Sequence, residues 1–253
     1  DINNPLLRKL STNCPGTFQH SMQVANLGGE AALKIGANMQ LVRAGALYHD
    51  IGKIKNPMFF TENQIGENPH DHLVRPEDSA KIVIDHVKSG IKLAEEAKLP
   101  KVIKDLIAQH HGNGLTKYFY YKACESRPDE EVDKAPFTYP GPNPQTKEAA
   151  ILMMADACEA ATKSLSDHSE ESIAAMVDKV IDGQVADGLL RETPISFSDV
   201  ETVKRLFIER LRTIYHVRVS YPSDSNVSQA DPPSPGSTPP PYNSKGVNTT
   251  ATQ

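Results

Sequence analysis

Apolar residues between positions 17 and 35 recur mostly at three- and four-residue steps, at Met22, Val24, Leu27, Ala31, Ala32 and Ile35. This is the spacing of one helix face, and it predicts a helix over residues 17–36. Residues 41–49 form a second, more continuously apolar helical run. An irregular stretch rich in Asn, Pro and Gly follows at 55–75. Pro76 then suits a first helical turn, and Glu77 and Asp78 suit the positive end of a helix dipole. The helix opened there carries Ile82, Ile84, Val87 and Ile91 towards Leu99. Pro100 restarts the chain into a helix that ends near His111, where Gly112 and Gly114 stop it. Residues 115–126 are aromatic and helical. Residues 127–144 hold five prolines and read as a long loop, a length that is uncommon unless the segment is functional or mobile. Helices are predicted again over 147–165, which is Ala-rich and apolar, and over 169–189. Ser198-x-x-Glu201 reads as a capping box opening a last helix to about His216. Only residues 217–221 alternate in the manner of a strand. The pattern predicts an all-α domain over residues 1–221.

Residues 222–253 change the picture. They hold 7 of the chain's 19 prolines, with Ser, Thr and Asn and almost no large apolar residue. Such a segment cannot bury enough apolar surface to offset its ordering entropy, so a disordered C-terminal tail is expected. The remaining residues are ample for a substantial core. The net charge of −5 argues against a broad surface for a nucleic-acid polymer. Cys14, Cys124 and Cys158 are few, odd in number and widely spaced, which fits a reducing compartment better than a disulfide framework. No apolar run approaches the roughly 18 residues of a membrane span. The chain begins at Asp1 without Met, as a piece of a longer protein would.

The chemistry lies in the placement of the nine histidines. His49-Asp50 ends an apolar helical run. Adjacent helix residues point about 100° apart, so the pair does not offer one cation two equal ligands. Asp50 has two oxygens, however, and can bridge two cations while His49 binds one of them. Further metal-type ligands stand at His20, His86, His110, His111 and Asp156, spread over other predicted helices. Taken singly, a histidine on a helix is ordinarily a surface or satisfied-core residue, and a His-Asp dipeptide recurs by chance. Asp156, in Met153-Met154-Ala155-Asp156-Ala157, is harder to dismiss, because a carboxylate among Met and Ala needs a partner. Convergence on metal ions removes that cost. His70, His72, His168 and His216 lack this context and are not assigned to the site.

The order His20, His49-Asp50, Asp156 resembles the H…HD…D pattern of the HD phosphohydrolase superfamily. In that superfamily the ligands sit on separate helices of an all-α bundle. His86 and His110-His111 resemble the additions of its two-metal members. The run from His49 to Gln64 is similar to the HD segment of the seven-transmembrane HD receptors of the PgpH type. So are His70-Asp71-His72, Gln109-His110-His111-Gly112 and residues 141–150. The resemblance covers residues from about 6 to 218. No Gly-Tyr-Pro stands where the HD-GYP subset would carry it.

This resemblance implies one metal held by His20, His49, Asp50 and Asp156, and a second held by Asp50, His86, His110 and His111. Mixed imidazole and carboxylate donors suit transition metals, with manganese or iron favoured. The implied reaction is hydrolysis of a cyclic dinucleotide, cyclic di-AMP, to linear pApA. Two dications can bind a phosphodiester anion and lower the pKa of water. Lys53 follows the HD pair and is assigned the stabilisation of phosphate or transition-state charge. Nothing in composition or spacing identifies the nucleobase. Tyr118 to Tyr121 and the 127–144 loop, or Phe59, Phe60 and Asn63, are available to stack on it or read its edge, but aromatics at such positions are as often core and are not assigned to the site. The resemblance also implies a multi-span segment upstream, with this domain at the cytoplasmic face of a membrane. The alternatives are an HD phosphohydrolase acting on cyclic di-GMP or (p)ppGpp, or a catalytically idle sensory or interaction domain. Oligomeric state is left open.

Overall fold

The computed structural model describes residues 3–216. The expected tail at 222–253 and the alternating stretch at 217–221 lie outside the described residues. Among the described residues there are nine α-helices and no strand. They are α1 (Pro5–Asn13), α2 (Pro15–Lys34), α3 (Met39–Tyr48), α4 (Pro76–Glu96), α5 (Lys101–Gln109), α6 (Lys117–Ser126), α7 (Lys147–Lys163), α8 (Glu170–Ala186) and α9 (Phe197–His216).

Helix α7 is the axis of the bundle. Ten residues from Ala149 to Cys158 include only one, Ala157, that is not buried. A helix apolar on every side is a central one, and α2, α3, α5, α8 and α9 all pack against α7. The remaining helices bury one stripe each. In α5, for example, Ile103, Leu106 and Ile107 face inward while Lys101 and Lys104 do not.

The helix starts follow local chemistry. Pro76 occupies the first turn of α4 with Glu77 and Asp78 beside it. Thr146 caps α7 by accepting from the Ala149 amide at 3.2 Å, and Ser169 caps α8 by accepting from the Ser172 amide. The capping box of α9 falls two residues before the predicted Ser198–Glu201 pair. The Ser196 hydroxyl accepts from the Asp199 amide at 3.0 Å, and Asp199 accepts from the Ser196 amide at 3.1 Å. Both pairs have the same spacing. The earlier one wins because Asp199 also meets Lys147 Nζ at 2.9 Å, tying the start of α9 to the start of α7. Glu201 instead faces Lys204.

Two segments depart from expectation. Helix α1 is not marked by periodicity, being only nine residues long, but it buries Leu6, Leu7 and Leu10. Residues 127–144 are non-helical apart from one 3-10 turn at Ala135–Phe137, yet they are pinned down. The Thr116 amide donates to the Phe137 carbonyl at 2.8 Å and the Tyr139 amide to the Gly114 carbonyl at 2.9 Å. Phe137 is fully buried. The prolines thus remove helical structure without freeing the chain. Cys14, Cys124 and Cys158 are all free thiols.

Candidate functional site: a buried histidine and aspartate cluster

The adjacent ligand-type pairs stand at helix ends, where the 100° rule lapses. Helix α3 ends at Tyr48; His49 keeps helical dihedrals but Asp50 turns away, at φ −106° and ψ 13°. Helix α5 ends at Gln109, two residues earlier than expected. A turn closed by the Gly112 amide on the Gln109 carbonyl carries His110 and His111 inward together. Gly52 sets the next contact. A Cβ on it would stand 1.8 Å from the His86 carbonyl oxygen and 2.5 Å from the Gly90 nitrogen. Only glycine lets the turn after Asp50 lie directly on α4, and that contact brings His86 beside Asp50. His20 comes from α2 and Asp156 from α7.

The other six predicted ligand-type residues gather around Asp50, which is 1% exposed. Its two oxygens face different groups. Oδ2 lies 3.3 Å from His49 Nε2 and 3.8 Å from His20 Nε2. Oδ1 lies 3.2 Å from His86 Nε2 and 3.7 Å from His110 Nε2. Asp156 Oδ1 closes the first group, 2.9 Å from His20 Nε2 and 3.6 Å from His49 Nε2. His86 and His110 approach within 3.2 Å, Nε2 to Nε2, and His111 completes the second group. His111 Nδ1 is 3.9 Å from Asp156 Oδ2.

The imidazoles are aimed. The Nδ1 atoms of His49, His86 and His110 each contact the carbonyl three residues earlier, on Ala46, Val83 and Ile107, at 2.7, 2.6 and 2.7 Å. With Nδ1–H donating there, each Nε2 lone pair faces the centre, as a metal ligand requires. Two buried atoms at that centre, His49 Nε2 and Asp50 Oδ1, have no hydrogen-bond partner. In folded proteins the large majority of buried polar atoms have a hydrogen-bond partner. The donor set of imidazoles and carboxylates, with these two orphaned atoms, fits divalent metal.

The electrostatics point the same way. Burial opposes charge on Asp50, yet His49 and Lys53 hold its carboxyl well below the usual range. Asp156 is likewise held low against burial, by His20 and His49. Burial lowers His49, but Asp50 and Asp156 outweigh it and raise the imidazole to about 10, so without a cation at the centre Nε2 holds a proton that a bound metal would displace. Burial and the neighbouring rings of His111, His49 and His86 push His110 well down. The carboxylates thus call for positive charge at the centre, while His110 offers a neutral lone pair.

Lys53 bridges two carboxylates, with Nζ 2.7 Å from Asp50 Oδ2 and 2.7 Å from Glu62 Oε1. Burial acts against its charge, but Asp50 and Glu62 raise its pKa above the ordinary lysine value. Glu62 also accepts from the Thr17 hydroxyl at 2.9 Å, and Asn63 is hydrogen-bonded to Thr17, so this turn is clamped to the start of α2. Asn63 is therefore occupied within the protein. Three further residues contribute to the site, Tyr139 and Glu159 buried and Glu62 half-buried. Glu62 holds Lys53. Tyr139 stacks on His111 with ring centroids 4.2 Å apart. Glu159 contacts His20 Nδ1. Only Glu159 carried a signal: it stands three residues after Asp156 on the same apolar helix, so it shares that buried face.

A cleft of about 1360 Å³ opens over the cluster, lined by His20, His86, His111 and Asp156 and by Phe60 and Tyr139. It runs on between α7 and α8, past Met176 and Val180. Of the aromatics available to stack on a base, only Phe60 lines it. Tyr118 and Tyr121 are exposed elsewhere, and Phe119 and Tyr120 pack beside Phe137. Of the unassigned histidines, His70 contacts the Phe59 carbonyl at 2.9 Å, and His168 contacts the Thr162 carbonyl and stacks on Tyr215. His72 is exposed.

Comparison with known proteins places these features among relatives. The HD domain model matches residues 17–161. The chain is 44% identical over 225 residues to the cyclic-di-AMP phosphodiesterase PgpH of Listeria monocytogenes, covering 88% of the chain and 31% of the relative. It is 43% identical over 221 residues to the Bacillus subtilis protein of the same name, covering 87% and 31%. The chain therefore spans about a third of the length of these curated relatives. The crystal structure of the L. monocytogenes PgpH HD domain in complex with cyclic-di-AMP superposes with a TM-score of 0.81 at 44% identity, covering 85% of this chain and all of that one.

Proposed function

Because the chain belongs to the HD-domain family, we propose that it is a two-metal phosphodiesterase opening a cyclic dinucleotide, cyclic di-AMP, to pApA. The observation that carries this reading is the division of Asp50, whose two oxygens face two separate ligand groups. The relatives named above act on cyclic di-AMP, and one solved relative was crystallised with it.

His20, His49, Asp50 and Asp156 would hold one divalent ion. Asp50, His86, His110 and His111 would hold the other, with manganese or iron suited to the donors. When bound, the ions supply Lewis acidity toward phosphodiester oxygens and acidify water. The chain's own groups do the rest. Backbone carbonyls of Ala46, Val83 and Ile107 fix the ligand tautomers. Lys53 spends two of its three N–H donors on Asp50 and Glu62, which leaves one for the cleft, where it stabilises phosphate charge. Lys179 also lines the cleft and attracts phosphate, while Lys117 and Lys163 line it paired with Asp187 and Glu159. The cleft volume exceeds the 300–1,000 Å³ typical of drug-sized ligands. That suits a dinucleotide.

Two substitutions separate the roles. His86→Ala is expected to lower bound manganese from about two ions per chain to about one by elemental analysis, with His20, His49 and Asp156 still in place. Equal loss of both ions from a folded variant would show that the groups are not separable. Lys53→Met is expected to keep about two ions while kcat falls about 10²-fold, the cost of removing one donor to transition-state charge. An unchanged kcat would remove Lys53 from the mechanism.

The reading is tested with a substrate panel. The manganese-loaded chain should turn over cyclic di-AMP in preference to cyclic di-GMP and (p)ppGpp. A preference for either of those would reassign the substrate within the family, and no turnover of any would support an idle domain. The likeness to seven-transmembrane receptors further supports a domain held at the cytoplasmic face of a membrane; fractionation of the longer protein with the soluble pool would contradict that placement. No helix among the described residues is long and apolar enough to cross a membrane.

A further inference from the structure

Four histidines present Nε2 to the centre of the cluster, and they are not backed alike. His49, His86 and His110 lean on backbone carbonyls. Of the four, only His20 leans on a carboxylate, that of Glu159. Glu159 is 2% exposed and stands one helical turn beyond Asp156 on α7. Its other oxygen is 2.7 Å from Lys163 Nζ. A carboxylate fixes the tautomer of a ligating imidazole and raises its basicity more than an amide carbonyl does, because it carries a full negative charge.

The two groups differ in other ways that add to this. The first combines an Asp50 oxygen, Asp156 and the carboxylate-backed His20. The second combines one Asp50 oxygen with three imidazoles, and the His111 side chain is 28% exposed. More anionic donors and deeper burial favour retention of a dication; neutral donors and exposure favour exchange. We propose that the two metal positions are unequal. The His20, His49 and Asp156 position fills first and empties last, and Glu159 is the positioning residue that creates the gap. This rests on the two-metal reading above.

The test is a manganese titration of the chelator-stripped full chain, following free Mn²⁺ by its electron paramagnetic resonance signal. The wild type should bind two ions in two resolved steps. Glu159→Gln keeps the size of the side chain and removes its charge. It should weaken the tighter step about 10- to 100-fold and leave the weaker step within about twofold, so that the steps approach each other. Lys163→Met leaves the contact with His20 in place and should keep the tight step at least as tight as in the wild type, which guards against a general loss of structure around α7. His86→Ala should delete the weak step and keep the tight one. Unchanged constants in Glu159→Gln would overturn the role of Glu159. Two equal constants in the wild type would overturn the inequality while leaving two metals. A total of one ion in the wild type would overturn the two-metal reading and this proposal with it.

Discussion

Asp50→Ala is expected to leave less than one manganese ion per chain and to lower turnover of cyclic di-AMP by about 10³-fold or more. Lewis-acid stabilisation of transition-state charge is worth several kcal/mol, and each 1.36 kcal/mol is a factor of ten in rate. Asp50 approaches both ligand groups closely, at 3.3 and 3.2 Å, whereas Asp156 reaches the second group only through His111, at 3.9 Å. Oδ1 faces His86 and His110, and Oδ2 faces His20 and His49. His86→Ala takes a donor from one group; the Asp50 variant takes an anion from both. Lys53 keeps Glu62 as its partner at 2.7 Å, so its ammonium is not stranded in the variant. Elemental analysis after gel filtration and a steady-state assay check both parts. Two retained ions with near-normal kcat would show that Asp50 does not bridge.

Gly52→Ala is expected to be strongly destabilising for a change of a single methyl group. The new Cβ would stand 1.8 Å from one backbone atom of α4 and 2.5 Å from another, where real contacts stay above 3.0 Å. No side chain can swing aside to relieve this. The turn at Ile51–Lys55 and α4 must separate, and the buried Ile51 and Val87 lose packing with them. The cost should reach about 3 kcal/mol or more, the upper end for overpacking a core, a fall of about 6–12 °C in thermal midpoint for a domain of this size. Separation also pulls His86 from Asp50, so the weaker metal should be lost first. A wild-type midpoint with two ions bound would show that the contact yields freely.

Much of this arrangement is legible in the residues. A carboxylate inside an apolar run, as at Asp156, advertises a partner because burying it alone is costly. The helices emerge from three- and four-residue spacing, and α4 from Pro76 with its acidic first turn. Less legible is what depends on contacts between distant segments. Helix α1 is too short for periodicity to declare, yet Leu6, Leu7 and Leu10 bury it. Ser196 and Ser198 open equally good capping boxes until Lys147 selects the first. The aromatic run at 118–121 offers rings that could stack on a base or serve the core, and its helix turns two of them toward Phe137 and leaves two exposed. Tyr139 reaches His111 only because the proline-rich segment is pinned at Gly114 and Thr116. Glu62 sits in an irregular stretch where no period assigns a face, and its partnership with Lys53 appears only when the turn folds back onto α2.

The central claim is that this cluster, loaded with two metal ions, hydrolyses cyclic di-AMP. It is tested most directly by incubating cyclic di-AMP with the manganese-loaded chain, with the chelator-stripped chain and with the Asp50→Ala variant, and separating the products by chromatography. The account predicts conversion to pApA in the first sample, and intact cyclic di-AMP in the other two. Intact cyclic di-AMP in the sample shown by elemental analysis to carry two ions per chain would contradict it.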